Sequence, residues 1–257
     1  MKGRRNKPKR KRIPKWISLD DVMEALDAEF ERMRKTPRRK SGGQRASGPG
    51  KKPPKPDSGR KAEQEDANLP NFGKRVAKEN YRNAVSLLAK ALGAEASQLT
   101  SEADEDSHLA GCLSFPVDSR SSEKLVQKHQ DRLLKQGVFL FRNERGDPSG
   151  KDQVALLPTD DWREVLLGMQ TYGGNCDLMP KDVVKWLADL REAQPFRLTG
   201  AAHDWCEGEF LQPVKNPRRL AKRMYEFCPD IVHQGVGTVA ALAKALSRSQ
   251  KFFFWWD

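Results

Sequence analysis

Charge is spread so unevenly along this 257-residue chain that only part of it can build a hydrophobic core. Residues 1–70 carry 21 basic and 10 acidic side chains, whereas residues 71–257 carry 26 and 25. The formal net charge of +12 therefore sits almost wholly at the amino-terminal end. A segment so charged and so poor in apolar residues cannot bury enough surface to offset the entropy of ordering it. The expected organisation is a basic, largely disordered tail over 1–70, followed by a single α+β domain over 71–257.

Within the tail, residues 2–15 are nearly all Lys, Arg, Asn and Pro, and residues 36–62 mix Gly, Pro, Ser and basic residues as a solvated linker does. Between them the spacing predicts an amphipathic helix at about 18–35. Ser18 stands in the N-cap position with Asp21 three residues on. Leu19, Val22, Met23, Leu26, Phe30 and Met33 then recur on one face. That stripe has two readings, docking on its own domain or lying in the groove of a protein partner. The flanking basic runs also have two, a solubilising arm or a sequence-independent contact with nucleic acid or another polyanion.

Periodicity over 71–257 alternates between helix and strand. Helices are expected at 74–92, from Ser121 or Ser122 to Gln136, after Thr159 or Asp160, from Pro180, from Pro217 and after Thr238. Strands are expected at 111–117, 138–144, 153–159, 196–202, 209–212 and in the closing aromatic run KFFFWWD. From residue 153 the element order matches a split βαβ, ferredoxin-like pattern when each helix pair is counted as one crossover. The expected fold is an antiparallel or mixed sheet with helices on one face.

No stretch reaches the roughly 20 apolar residues that span a bilayer, and no h-region follows the basic start. No membrane association is expected. Cys112, Cys176, Cys206 and Cys228 lie far apart without a C-x-x-C pair, so they read as reduced, buried thiols of a cytoplasmic protein. No cofactor motif is present and no cofactor is expected.

Several carboxy-terminal motifs occur together. Tyr225-Glu226-Phe227-Cys228-Pro229-Asp230-Ile231-Val232 is followed by Gln234-Gly235, Thr238-Val239 and the final Phe254-Trp255-Trp256-Asp257. LPTDDW at 156–162, the Gly173-Gly174-Asn175 turn and LTGAAHDWCEGEF at 198–210 accompany them. Together they resemble the bacterial domain of unknown function 4253 over roughly residues 138–257. The resemblance implies a soluble bacterial domain and implies no activity.

Five constellations carry candidate chemistry. His203, Cys206 and Cys228 supply metal-ligand types, although a single His-x-x-Cys spacing is weaker than the paired spacings of structural zinc sites. Cys206 or Cys228 beside His203 or His233 would make a nucleophile. Asp160, Asp161, Asp204, Asp230 and Asp257 are acid–base candidates, with helix capping and turns as the competing role. Gly173, Gly174 and Asn175, like Gly235-x-Gly237-Thr238, precede helix amino termini where free N–H groups hold anions, or where glycine supplies positive φ. Trp255, Trp256 and Asp257 complete the candidates as an aromatic-backed anionic binding element. With no recognised catalytic motif, the first expectation is a non-catalytic interaction module on a basic tether. The alternative is a small hydrolase or metal-dependent enzyme using the His203–Glu207 turn with Cys228 or Asp230. Convergence of His203, Asp204, Cys228, Asp230 and His233 would favour the enzyme.

Overall fold

The computed structural model describes residues 78–100, 109–146 and 150–256. The tail, its helix at 18–35 and Asp257 lie outside the described residues. The elements run α1 (Lys78–Leu92), β1 (Ser97–Gln98), β2 (Leu113–Asp118), α2 (Ser119–Leu134), β3 (Phe139–Glu144) and β4 (Lys151–Leu157). Then follow α3 (Trp162–Gly168), α4 (Pro180–Ala193), β5 (Phe196–Ala201), β6 (Trp205–Phe210), α5 (Pro217–Phe227), α6 (Val239–Arg248) and β7 (Lys251–Trp255). Helix starts obey local chemistry. Asp118 and Asp161 cap α2 and α3, and Asn216 and Thr238 cap α5 and α6, each accepting a first-turn N–H. At α2 and α3 the capping residue is an Asp, where Ser121 or Ser122 and Thr159 or Asp160 were expected.

The α+β class and the mixed sheet match the sequence reading. The seven strands lie in the order β1-β2-β4-β3-β5-β6-β7. Every neighbouring pair is antiparallel except β3 and β5, which run parallel. This order replaces the expected split βαβ interleaving. β3 lies between β4 and β5, while β5, β6 and β7 are neighbours in chain order. Element order along the chain cannot tell which strands become lateral neighbours when helix pairs separate them. β6 also begins at Trp205, earlier than the strand expected at 209, because the loop after β5 spans only residues 202–204.

Helices cover both faces, where one had been expected. Side chains alternate across a strand, and in β3 and β4 both sets are apolar. Phe139, Phe141, Ala155 and Leu157 join the core built with α3, α4, α5 and α6. Val138, Leu140, Val154 and Leu156 join a second core with α1 and α2. On the first face the closing strand is held by rings. Phe254 lies edge-on to Trp186 at 5.4 Å and to Phe227 at 5.3 Å, and Trp186 stacks on Phe227 at 4.1 Å. Such contacts add about 0.5–1.5 kcal/mol per pair beyond the burial of the rings themselves.

The seam between β3 and β5 joins the two antiparallel halves with one ladder partner, Arg142 opposite Gly200. Bulges interrupt β3 between Arg142 and Glu144, and β5 between Leu198 and Gly200. Side chains close what the backbone leaves. Gln130 of α2 donates both Nε2 hydrogens, to the carbonyls of Leu140 in β3 and Leu198 in β5, each at 2.7 Å. The buried Arg142 grips Glu207 of β6 with Nε on Oε1 at 2.7 Å and Nη2 on Oε2 at 2.6 Å. The bridge passes over Gly200, where a Cβ would lie 2.7 Å from Glu207 Oε1. Asp152 of β4 extends the network, accepting from Ser122 at 2.5 Å, Ser119 at 2.8 Å and the Gly146 N–H at 2.9 Å. Burial alone would raise its pKa, yet those hydrogen bonds and the Arg142 charge hold the carboxyl below the usual carboxylate range.

Two expectations follow from the seam. A fragment beginning at residue 150 lacks the strand that lies between β4 and β5, so it should show no cooperative urea transition where the full chain does. Glu207→Ala strands a buried guanidinium and should cost about 3–5 kcal/mol in chemical denaturation. Arg142→Met combined with Glu207→Leu should recover much of that loss, and failure to recover any would mean that the pair does more than satisfy itself.

Candidate functional site

Several of the carboxy-terminal residues singled out from sequence meet one another in pairs near the end of β7. The Gly174–Cys176 turn is a 3₁₀ turn clipped by two backbone bonds between Gly173 and Leu178. Gly173 is needed for close approach, because a Cβ there would lie 2.8 Å from Trp256 Cδ1. The turn does not use positive φ at its glycines; the left-handed residue is Asp177, at φ 54°. Asn175 Nδ2 donates to Asp230 Oδ2 at 2.6 Å, joining this turn to the π-helical turn Ile231–Val236. The Trp256 backbone N–H donates to the Asp204 carbonyl at 2.9 Å. The His203 ring lies tilted on Tyr172 at 4.3 Å, and the Tyr172 N–H donates to the His203 carbonyl.

These contacts do not bring a histidine to a thiol. His233 shares a 3.0 Å hydrogen bond with the Tyr225 hydroxyl. Among the described residues neither His203 nor His233 hydrogen-bonds a cysteine. The Cys228 thiol donates to the Trp255 carbonyl at 2.9 Å, and burial pushes it up to about 12. Cys206 is fully buried on the helix-covered face of β6, and burial, then Cys228 and Glu207, push its thiol well up. Burial also raises Cys112 to about 12. Cys176 is half-buried and raised by burial and by the carboxylates of Asp230 and Asp177. The thiolate is the nucleophile and the ligand form, so these environments disfavour both chemistries. Among the described residues no group of three or more His, Cys, Asp or Glu is arranged to hold a metal ion.

The other candidates hold structural positions. Asp161 caps α3 and pairs with Arg163 at 2.7 Å, and Asp160 is exposed beside it. Gly237 takes φ 82° and Thr238 caps α6 by accepting from the Ala241 N–H, so the Gly235–Thr238 loop is built as a helix entry. Trp255 is half-buried and its register partner is Trp205 on β6.

A second feature was missed from sequence. α5 and α6 pack side by side, with Leu220, Met224, Leu242 and Leu246 buried in the core beneath them. Their outer faces border a groove of about 880 Å³ lined by Lys215, Arg218 and Lys244, with the polar Asn216 and Ser247. None of the nine lining residues is acidic. The signal was present in local composition. Residues 215–223 hold five basic residues and no acid, and 239–251 hold three and no acid. Averaging charge over the whole domain hides it, because the compensating acids lie elsewhere in the chain.

The thiol environments predict that Ellman's reagent at mild alkaline pH leaves Cys206 and Cys228 untouched in the native protein, while denaturation exposes all four free cysteines. Rapid native labelling of Cys228 would overturn the sealed-thiol reading.

Among the described residues no helix is long and apolar enough to cross a membrane. No curated protein and no solved structure matches this chain. Residues 153–257, from within β4 onward, match the family model described as a domain of unknown function, DUF4253.

Proposed function

We propose that this protein is a non-catalytic interaction module that binds a polyanion. The groove between α5 and α6 is its folded contact, and the basic residues of 1–70 add a second. The observation that carries this reading is the composition of the groove, with three cations and no carboxylate among its lining residues. Clustered positive charge raises the local concentration of anions and releases counterions when it neutralises them. The sealed thiols, with neither His203 nor His233 hydrogen-bonded to a cysteine among the described residues, support a binding role over a hydrolytic one. Four free cysteines fit a reducing compartment, the cytoplasm.

Retention on immobilised heparin tests the reading with the full-length protein. Wild type should bind at low salt. The triple variant Lys215→Ala, Arg218→Ala, Lys244→Ala should elute at clearly lower salt than a control lacking exposed Lys124, Lys181 and Lys185. Failure of wild type to bind, or co-elution of the two variants, would overturn the proposal.

A further inference from the structure

Resting on the polyanion reading, we infer that the groove takes the phosphodiester backbone of a nucleic acid strand, without regard to base sequence. The first argument is length. A second cavity of about 450 Å³ shares Pro217 and Ser247 with the first and continues past Arg248 to the start of β7. Residues of α6 line both, so the trough follows a helix about 15 Å long at 1.5 Å per residue. Lys244 and Arg248 stand one turn apart on α6, about 6 Å along its axis. Lys215 and Arg218 stand at the α5 end. Lys251, at the far end, is paired with Glu123, and Glu209, the one acid lining the second cavity, lies 3.9 Å from Arg197. Four cations, none in an ion pair among the described residues, spaced along a trough suit a polymer with a charge on every unit better than a single anion.

The second argument is the chemistry between the cations. Asn216, Ser247, Ser249 and Gln250 place amide and hydroxyl groups along the same walls. Phosphate oxygens are contacted by these side chains as well as by Arg and Lys. The apolar lining is small or aliphatic, Val239, Ala240 and Ala243 in the first cavity and Val214 and Leu246 in the second, with no aromatic residue in either among the described residues. Protein interfaces draw their affinity from buried aromatic anchors, which this groove lacks. The same lack removes base stacking, leaving the backbone as the recognised part.

The test is fluorescence anisotropy of a labelled oligothymidylate titrated with full-length protein over a potassium chloride series. The quadruple variant Lys215→Ala, Arg218→Ala, Lys244→Ala, Arg248→Ala should bind at least about tenfold more weakly near 0.1 M salt. Each lost phosphate contact on a single strand lowers the slope of log affinity against log salt by about 0.7, so the slope should fall by about 3. The paired variants Lys215→Ala/Arg218→Ala and Lys244→Ala/Arg248→Ala should each take roughly half of that fall, which guards against one variant failing to fold. A slope equal to that of the Lys124, Lys181, Lys185 control would overturn the inference. So would polyglutamate displacing the oligonucleotide as well as heparin does, and in that case the broader polyanion reading survives. Loss of heparin retention by wild type would instead remove that reading and this inference together.

Discussion

The buried pair of Arg142 and Glu207 sits where the sheet is weakest. Two antiparallel halves meet at β3 and β5 along a parallel contact with a single ladder partner, flanked by a bulge on each side. Backbone hydrogen bonds alone would hold such a junction poorly. The guanidinium reaches across β5 to β6, and it can do so because Gly200 presents no Cβ beneath it. Gln130 ties the same two strands from above through their carbonyls. With these in place, α2 and the β2–β4–β3 half are locked to the half that carries the carboxy-terminal elements. The groove between α5 and α6 and the cluster around Trp256 are thereby positioned on a rigid frame.

That frame also bears on the family match. The matched segment begins within β4, whereas the strand between β4 and β5 is β3, which precedes it. The matched region therefore depends on residues outside it for a continuous sheet. The motifs of its carboxy-terminal end serve mainly to bring segments together. Asn175 reaches Asp230, the Cys228 thiol reaches the Trp255 carbonyl, and Trp256 packs on Gly173. Each is a close contact that fixes a turn against the end of the sheet.

Much of the element content was legible. Pro180 and Asn216-Pro217 marked helix starts, Gly137 marked the end of α2, and the aromatic run after residue 250 read as a strand. Other features were not legible, for identifiable reasons. The two-sided core needs β3 and β4 to be apolar on both faces, and a run such as VFLF has no period to say which face meets which helix. The π-helical turn after Asp230 has no local propensity signal. Arg142 and Gln130 were not singled out, and Glu207 was read as part of a reactive turn, because a lone polar residue in a strand or helix gains meaning only from the partner it meets. The basic groove was hidden by averaging, since its cations come from two helices separated in sequence.

Periodicity was sufficient for most of the helices and strands of the described residues, because burial and backbone geometry act locally along a chain. Residue types were sufficient for the caps of α5 and α6 and for the aromatic character of the final strand on the same ground. Lateral strand order, the seam and its ion pair, the sealing of Cys206 and Cys228, and the meeting of Lys215, Arg218 and Lys244 all required the folded chain. Each is set by the distance between residues remote in sequence. Such distances follow from how faces pack across the sheet, which no local pattern encodes.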